Sequence, residues 1–310
     1  MIAAPKAVVF AYHNVGARCL RVLLAHGVDV ALVVTHEDNP AENIWFERVA
    51  DLARDYDIPV AMPEDPNRAE FVARLQALRP DFFFSFYYRQ MLQPALLAIP
   101  ARGGYNMHGS LLPKYRGRVP VNWALIHGER ETGATLHRMV EKPDAGEIVA
   151  QQAVPILPDD TAGEVFAKVT LAAELALDQV LPALLAGSAA HVPADLAAGS
   201  YFGGRKAEDG RIDWSQPAAV VHNLIRAVAP PYPGAFFVLG GQRIVITRSL
   251  SRAGGSEAPG HPELYTEGGR LFARCGDGGV LHILSLEVDG EAVAPAALPA
   301  RLGQNPVPLV

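Results

Sequence analysis

Apolar and polar positions follow two regimes along the chain. Up to about residue 201, short runs rich in β-branched and aromatic residues alternate with longer stretches whose apolar residues recur every three or four positions. The short runs predict strands at 7–11, 28–35, 58–61, 82–87 and 104–107. The longer ones predict helices at 16–26, 43–56, 67–78 and 94–99. A further helix is expected at 119–126, strands at 135–139 and 148–154, and a long amphipathic helix at 162–185 stopped by Gly187. Strands that alternate with helices in this way build βαβ units, so the predicted fold is a doubly wound α/β domain on a mostly parallel sheet.

The second regime begins with the polar, glycine-rich "FGGRKAEDGRIDW". A helix at 218–228 and the turn-rich "APPYPGAF" lead into "AFFVLG", "QRIVITRSL", "RLFARCG" and "GVLHILSLEV", short runs separated by glycine turns. That pattern predicts a small antiparallel barrel or sandwich. The expected division is an α/β domain at 1–203 and a C-terminal domain at 204–310, with an exposed loop at 253–261.

Composition narrows what such a chain does. Half of its 310 residues are hydrophobic, enough for a substantial core, and the formal net charge of -6 gives a phosphate backbone no global attraction. A nucleic-acid partner is therefore not expected. The opening "MIAAPKAVVFAYHN" is interrupted too early for a signal peptide or membrane span, which makes a cytoplasmic protein without membrane insertion the expectation. Cys19 and Cys275 are far apart and form no CxxC, and the histidines lack paired ligand spacing, so neither a disulfide framework nor a metal is expected.

A dinucleotide site would place GxGxxG after the first strand, but "FAYHNVGARCL" offers only Gly16. Chemistry must be sought at another strand end. In open parallel sheets ligands collect beyond the carboxyl ends of the strands. Asn106, His108, Gly109 and Ser110 follow or close the fifth strand there, and at period two Asn106 and His108 point the same way. Acyl transfer to an amine needs a donor for the oxyanion of a tetrahedral intermediate and a base for the amine proton. An amide and an imidazole supply both. Asp144, in the turn-prone "KPDAG", is the candidate to support the imidazolium. Taken alone, a histidine at a strand end is more often structural than catalytic, and an aspartate in such a turn is usually only a turn residue. Ser110 lacks the GxSxG elbow and reads more readily as a loop hydroxyl than as a nucleophile.

The combination is more specific than its parts. "NMHGSLLPKYRG" followed by "DAG" at 144–146 resembles the 10-formyltetrahydrofolate-dependent formyltransferases. "VVFAYHN", "THEDNP", "FSFYYR", "ETGATLHRMV" and "YPGAF" extend the likeness to the branch that formylates UDP-4-amino-4-deoxy-L-arabinose in lipid A modification, over nearly the whole chain and most weakly after about residue 250. The resemblance implies an α/β, Rossmann-like, mostly parallel sheet domain followed by a small OB-like β-barrel, and that Asn106 stabilises the formyl oxyanion, His108 is the general acid/base and Asp144 raises its pKa. It places N10-formyltetrahydrofolate, the formyl donor, on Gln90, Met91, Leu92, Arg118 and the loop Val140, Glu141, Lys142, Pro143, Asp144. It implies a nucleotide-sugar acceptor, for which Ser110, Lys114, Tyr115, Arg116 and Arg205 are candidate contacts. The best-known protein of that branch is fused to a C-terminal dehydrogenase, and a sequence that stops at Val310 is expected either of a stand-alone transferase or of a piece of a longer protein.

Another nucleotide-linked amino sugar, such as a TDP-linked one, stays open as the acceptor, and three rival readings weigh less. A methionyl-tRNA formyltransferase shares the trio but must hold tRNA, and the stretch after the second strand is acidic here, with Glu37, Asp38, Glu42, Glu47, Asp51, Asp55 and Asp57 against Arg48 and Arg54. A non-catalytic binder of the same fold would be expected to have lost a member of the trio, and all three are present. Hydrolysis of formyltetrahydrofolate uses similar residues, but the acceptor-type motifs argue against it.

Overall fold

A computed structural model describes residues 4–40, 42–252 and 261–309. The chain divides into two compact units. The first comprises Met1–Pro120, Thr132–Val154 and Ala167–Gly203, the second Val121–Glu131, Pro155–Phe166 and Gly204–Val310.

The first unit is built on a seven-stranded sheet. In chain order its strands are β1 (Lys6–Ala11), β2 (Asp29–Val34), β3 (Val60–Ala61), β4 (Phe82–Phe86) and β5 (Gly104–His108), then, after the two-residue β6 (Arg116–Gly117), β7 (Glu131–Arg138) and β8 (Ile148–Pro155). The spatial order is β3-β2-β1-β4-β5-β7-β8. The pairs from β3 to β5 are parallel, and β7 runs antiparallel to β5. Every residue of β4 is buried, the expected state of a central parallel strand covered on both faces. The strand order reverses between β1 and β4, so their carboxyl ends diverge into the crevice where such sheets bind ligands.

Helices α1 (His13–Ala25), α2 (Val49–Asp55), α3 (Ala69–Leu78) and α4 (Pro94–Leu97) fill the crossovers, followed by α5 (Pro120–Ile126) and α6 (Ala162–Ala186). The helix expected at 43–56 begins only at Val49. Tertiary packing overrides its periodicity: Phe46 lies against Tyr12 and His13, while Glu47 pairs with Arg21 and takes its N–H to Asn14 Oδ1. Helix α6 is long and apolar enough to cross a membrane by length and composition. In the first unit, however, Val169, Ala173, Leu177 and Leu181 are fully buried, and Glu174 and Asp178 pair with Arg18 and His26 of α1. That is the behaviour of a core helix.

A short ladder completes the unit. Strand β9 (Tyr201–Phe202) pairs in parallel with β6, a contact that no local pattern announces.

The second unit curls an antiparallel sheet around one apolar core. Its strands are β10 (Ala235–Leu239), β11 (Gln242–Arg252), β12 (Glu263–Glu267), β13 (Arg270–Arg274), β14 (Val280–Val288), β15 (Glu291–Val293) and β16 (Val307–Pro308), in the order β10-β11-β14-β13-β12-β16 with β15 on β14. The register shifts around Arg248, and bulges of this kind bend a strand and increase its twist. Helix α7 (Ala218–Ala227) adds Val221 and Ile225 to a core that includes Trp214, Phe237, Ile244, Leu271 and Leu281, and α8 (Leu298–Arg301) closes it with Leu298. Of the loop expected at 253–261, only His261 falls among the described residues.

Buried His222 of α7 ties this unit together: Nε2 meets the Pro158 carbonyl at 3.1 Å and Nδ1 meets Ser249 Oγ at 2.9 Å. Burial lowers its pKa below the ordinary value, although the Pro158 carbonyl opposes that shift. In the first unit, burial and Arg89 hold His13 at about 3 and His36 at about 4. A histidine with a depressed folded pKa stabilises the fold fully above its unfolded pKa, near 6.5, and loses that contribution as pH falls, because the unfolded chain binds the proton first. Acidification from pH 7.5 to 5 is therefore expected to cost on the order of 2 kcal/mol at each of His13 and His36. Urea melts at the two pH values should show the loss, and equal midpoints would contradict it.

Candidate active site

The antiparallel register of β5 and β7 sets Asn106 opposite His137 and His108 opposite Thr135. Asn106 Nδ2 lies 3.0 Å from His137 Nε2, and His137 Nδ1 lies 3.0 Å from the Arg138 carbonyl. With its hydrogen on Nδ1, His137 accepts from one N–H of the Asn106 amide. The second amide N–H is left to donate elsewhere.

His108 is 7% exposed, and its Nε2 donates to the Tyr115 carbonyl at 2.8 Å. The lone pair therefore sits on Nδ1, which faces Asp144 Oδ1 at 3.6 Å, just beyond hydrogen-bond range. Asp144 Oδ2 accepts from the Gly117 N–H at 2.9 Å, and Oδ1 also lies 3.4 Å from His137 Nε2. The three groups expected from the sequence thus converge, with His137 as a fourth.

Electrostatics separate the two ionisable partners. Burial pushes the pKa of His108 below its ordinary value, while Asp144 and the Tyr115 carbonyl act in the opposite sense. Burial alone would raise Asp144, but the two imidazoles and the Gly117 N–H outweigh it and hold the carboxyl well below the usual range. At neutral pH the pair is an ionised carboxylate beside a neutral imidazole. The imidazole can accept a proton at Nδ1 and, once charged, find a carboxylate on one side and a carbonyl on the other.

The loop after β5 is held from both sides. Ser110 is fully buried, its Oγ donates to the Lys114 carbonyl at 2.7 Å, and its own carbonyl accepts from Thr135 Oγ1 at 2.6 Å. Further along, Tyr115 N–H donates to Ser200 Oγ, Arg116 N–H to the Ser200 carbonyl, and Arg118 N–H to the Phe202 carbonyl. Tyr115 is buried and stacked on Phe202, whereas Lys114 and Arg118 are exposed. Arg116 is 8% exposed, and among the described residues its Nε has no hydrogen-bond partner.

This architecture has relatives. A model of the formyl transferase family matches residues 10–181, and one of the formyl transferase C-terminal domain matches 205–300. The chain belongs to the formyl transferase family. Among solved structures, an N-formyltransferase from Helicobacter canadensis in complex with folinic acid and dTDP-3-aminofucose superposes with a TM-score of 0.71 at 18% identity, over 91% of this chain and 99% of its own. WlaRD, a sugar 3N-formyl transferase solved with dTDP and 5-N-formyl-THF, gives 0.70 at 19% identity, over 91% and 97%. A 4-N formyltransferase from Francisella tularensis gives 0.64 at 20% identity, over 80% and 99%. At these identities the likeness is one of fold.

The other sequence-predicted residues of this formyltransferase are distributed as follows. Gln90 accepts from the Tyr88 hydroxyl and donates to the Glu64 carbonyl, Met91 is exposed and Leu92 is buried. In the 140–144 loop, Val140, Glu141 and Lys142 are exposed, Pro143 is half-buried, and Asp144 adopts φ +50. Arg205, in the second unit, stacks over Trp123 at 4.9 Å and donates to the Asp209 carbonyl. Among the described residues no group of three or more His, Cys, Asp or Glu is placed to hold a metal ion.

His137 was not legible as part of the site. Its signal lies in the pairing of two strands rather than in a motif, because only the β5–β7 register carries it to Asn106.

Gly146 fixes the loop that presents Asp144. A Cβ there would fall 1.8 Å from the Arg138 carbonyl oxygen, which is backbone and cannot swing away. Gly146→Ala is expected to push the loop off β7, lowering kcat at least tenfold through misplacement of Asp144 and costing about 1–3 kcal/mol in a urea melt. A variant with wild-type kcat would show that the loop position is not critical.

Proposed function

We propose that this formyltransferase moves the formyl group of N10-formyltetrahydrofolate to the 4-amine of UDP-4-amino-4-deoxy-L-arabinose, as a cytoplasmic enzyme with residues 1–203 as the catalytic domain and 204–310 as the C-terminal domain. The observation that carries the reading is the convergence of Asn106, His108 and Asp144 in a chain of this family. The amine attacks the formyl carbon, and the free N–H of Asn106 donates to the oxyanion. The amine proton passes to His108 Nδ1, where Asp144 stabilises the imidazolium, and then to N10 as the carbon–nitrogen bond to the donor breaks. The protein then releases the formamide and tetrahydrofolate.

The folate contacts proposed are Gln90, Met91, Leu92, Arg118 and 140–144. Support for a folate donor comes from the folinic acid and 5-N-formyl-THF in the related structures. Arg116 supports an anionic acceptor: a buried guanidinium whose Nε has no partner among the described residues suits a diphosphate, with Lys114 nearby in sequence. The choice of UDP and of a 4-amino sugar rests on the motifs from "FSFYYR" to "ETGATLHRMV". A second reading, a dTDP-linked amino sugar, is favoured by the ligands named for the related structures.

Purified protein with N10-formyltetrahydrofolate should release tetrahydrofolate when given the UDP-linked 4-amino sugar, and do so more slowly with dTDP-linked 3-amino and 4-amino sugars. Preference for a dTDP sugar would replace the acceptor, and formylation of methionyl-tRNA alone would overturn the sugar reading.

A further inference from the structure

Just beyond the carboxyl ends of β1 and β4, which flank the reversal of strand order, an aromatic residue stands in the left-handed region: His13 has φ +67 and Tyr87 has φ +59. Non-glycine residues rarely adopt that conformation, which costs on the order of 1 kcal/mol or more and concentrates at functional sites. The two ends are tied together by Tyr12 N–H donating to the Phe86 carbonyl.

Four rings gather around His13. Phe46 lies with its centroid 4.0 Å from the imidazole, Trp45 at 4.6 Å and Tyr87 at 6.4 Å, while Tyr12 meets Phe46 at 5.0 Å. His13, Trp45, Phe46 and Tyr87 all remain partly exposed. A Cβ on Gly109 would fall 1.9 Å from the Tyr87 hydroxyl oxygen, so the phenol rests on the backbone of the residue that follows His108. One edge of this aromatic cluster therefore lies against the residue that follows His108 in the chain.

We propose that the cluster of Tyr12, His13, Trp45, Phe46 and Tyr87 is the subsite for the sugar ring of the acceptor, which it holds by stacking so that the amine reaches the formyl carbon. The assignment rests on the formyl-transfer reading and adds the part of the acceptor that this face recognises. Proximity decides between the parts of a nucleotide sugar. The reacting amine is on the sugar, whereas the base is separated from it by a ribose and a diphosphate, so the group beside His108 is the sugar. Charge agrees: the nearby cation, Arg89, is paired with Glu42 and stacked over Tyr12, which leaves a neutral aromatic face unsuited to phosphate. Burial, aided by Arg89, keeps the His13 ring uncharged at neutral pH. The C–H faces of a pyranose meet the electron-rich faces of such rings favourably, and an aromatic wall also attracts an amine in its protonated form.

The experiment measures Trp45→Ala and, as a milder change, Phe46→Leu, each checked for folding by circular dichroism and a thermal melt. Steady-state kinetics give KM for the amino-sugar nucleotide that proves to be the best acceptor, KM for N10-formyltetrahydrofolate, and the inhibition constant of the free nucleoside diphosphate. The expected result is an acceptor KM raised about tenfold or more for Trp45→Ala and less for Phe46→Leu, with the other two constants within about twofold of wild type. An unchanged acceptor KM in folded protein overturns the assignment. So does an equal weakening of the nucleoside diphosphate, which would make the cluster a base platform, or a selective rise in the folate KM, which would give it to the donor. If wild-type protein formylates no amino sugar in the panel, the formyl-transfer reading itself fails, an outcome separate from these.

Discussion

His108→Ala is expected to lower kcat by about a hundredfold or more while leaving the fold intact, the usual scale for a positioned acid–base group. The ring is 7% exposed, and its removal leaves the Tyr115 carbonyl and Asp144 facing an empty space. Some loss of stability should accompany the change, so the decisive measurement is single-turnover formyl transfer at saturating donor and acceptor in protein shown by circular dichroism to be folded. The wild-type pH profile adds a second check. Because burial holds the free-enzyme pKa of His108 below its ordinary value, kcat/KM should stay near its plateau as pH falls through 6.5 and decline only at lower pH. Full activity in His108→Ala would remove the proposed mechanism.

Asp144→Asn should have an effect of similar size. The amide is nearly isosteric and can still take the Gly117 N–H on its oxygen, so the loop should remain in place. What disappears is the negative charge beside Nδ1. Asp144 raises the pKa of His108, and in the proposed mechanism the imidazolium formed during transfer would lose its counter-charge without it. We expect kcat to fall by about a hundredfold or more, as when the carboxylate behind a catalytic histidine is neutralised. The acid limb of kcat/KM should move to lower pH than in wild type. Circular dichroism and a melt near that of wild type would confine the effect to chemistry, and an unshifted acid limb with normal kcat would deny Asp144 its role.

The elements most visible in the sequence are those whose local pattern and tertiary environment agree. The all-apolar run at Phe82–Phe86 is a central strand because both its faces are covered, and Gly187, at φ +75, ends α6 as its position predicts. Asn106 and His108 were readable because strand alternation is a local property, and Asp144 because a motif of the family carries it. The failures have one cause. Residues 43–48 read as helix, but Trp45 and Phe46 gain more by packing on His13 and Tyr12 than a helix would give them. His137 and the β6–β9 ladder depend on partners many residues away, and no window along the chain contains both members. The aromatic cluster at the ends of β1 and β4 is of the same kind, since its rings come from three separate segments.

The β6–β9 ladder ties the catalytic loop to a segment that follows the long helix α6. Ser200 and Phe202 receive the N–H groups of Tyr115, Arg116 and Arg118, and a side chain at Gly199 would collide with the Pro113 carbonyl. The carbonyl that orients His108 is thus set by a strap that arrives some eighty residues later in synthesis. A chain cut after α6 would keep Asn106 and Asp144 in its sequence but lack the strap that seats Tyr115. On the proposed mechanism such a chain is expected to be inactive until residues 199–202 are supplied.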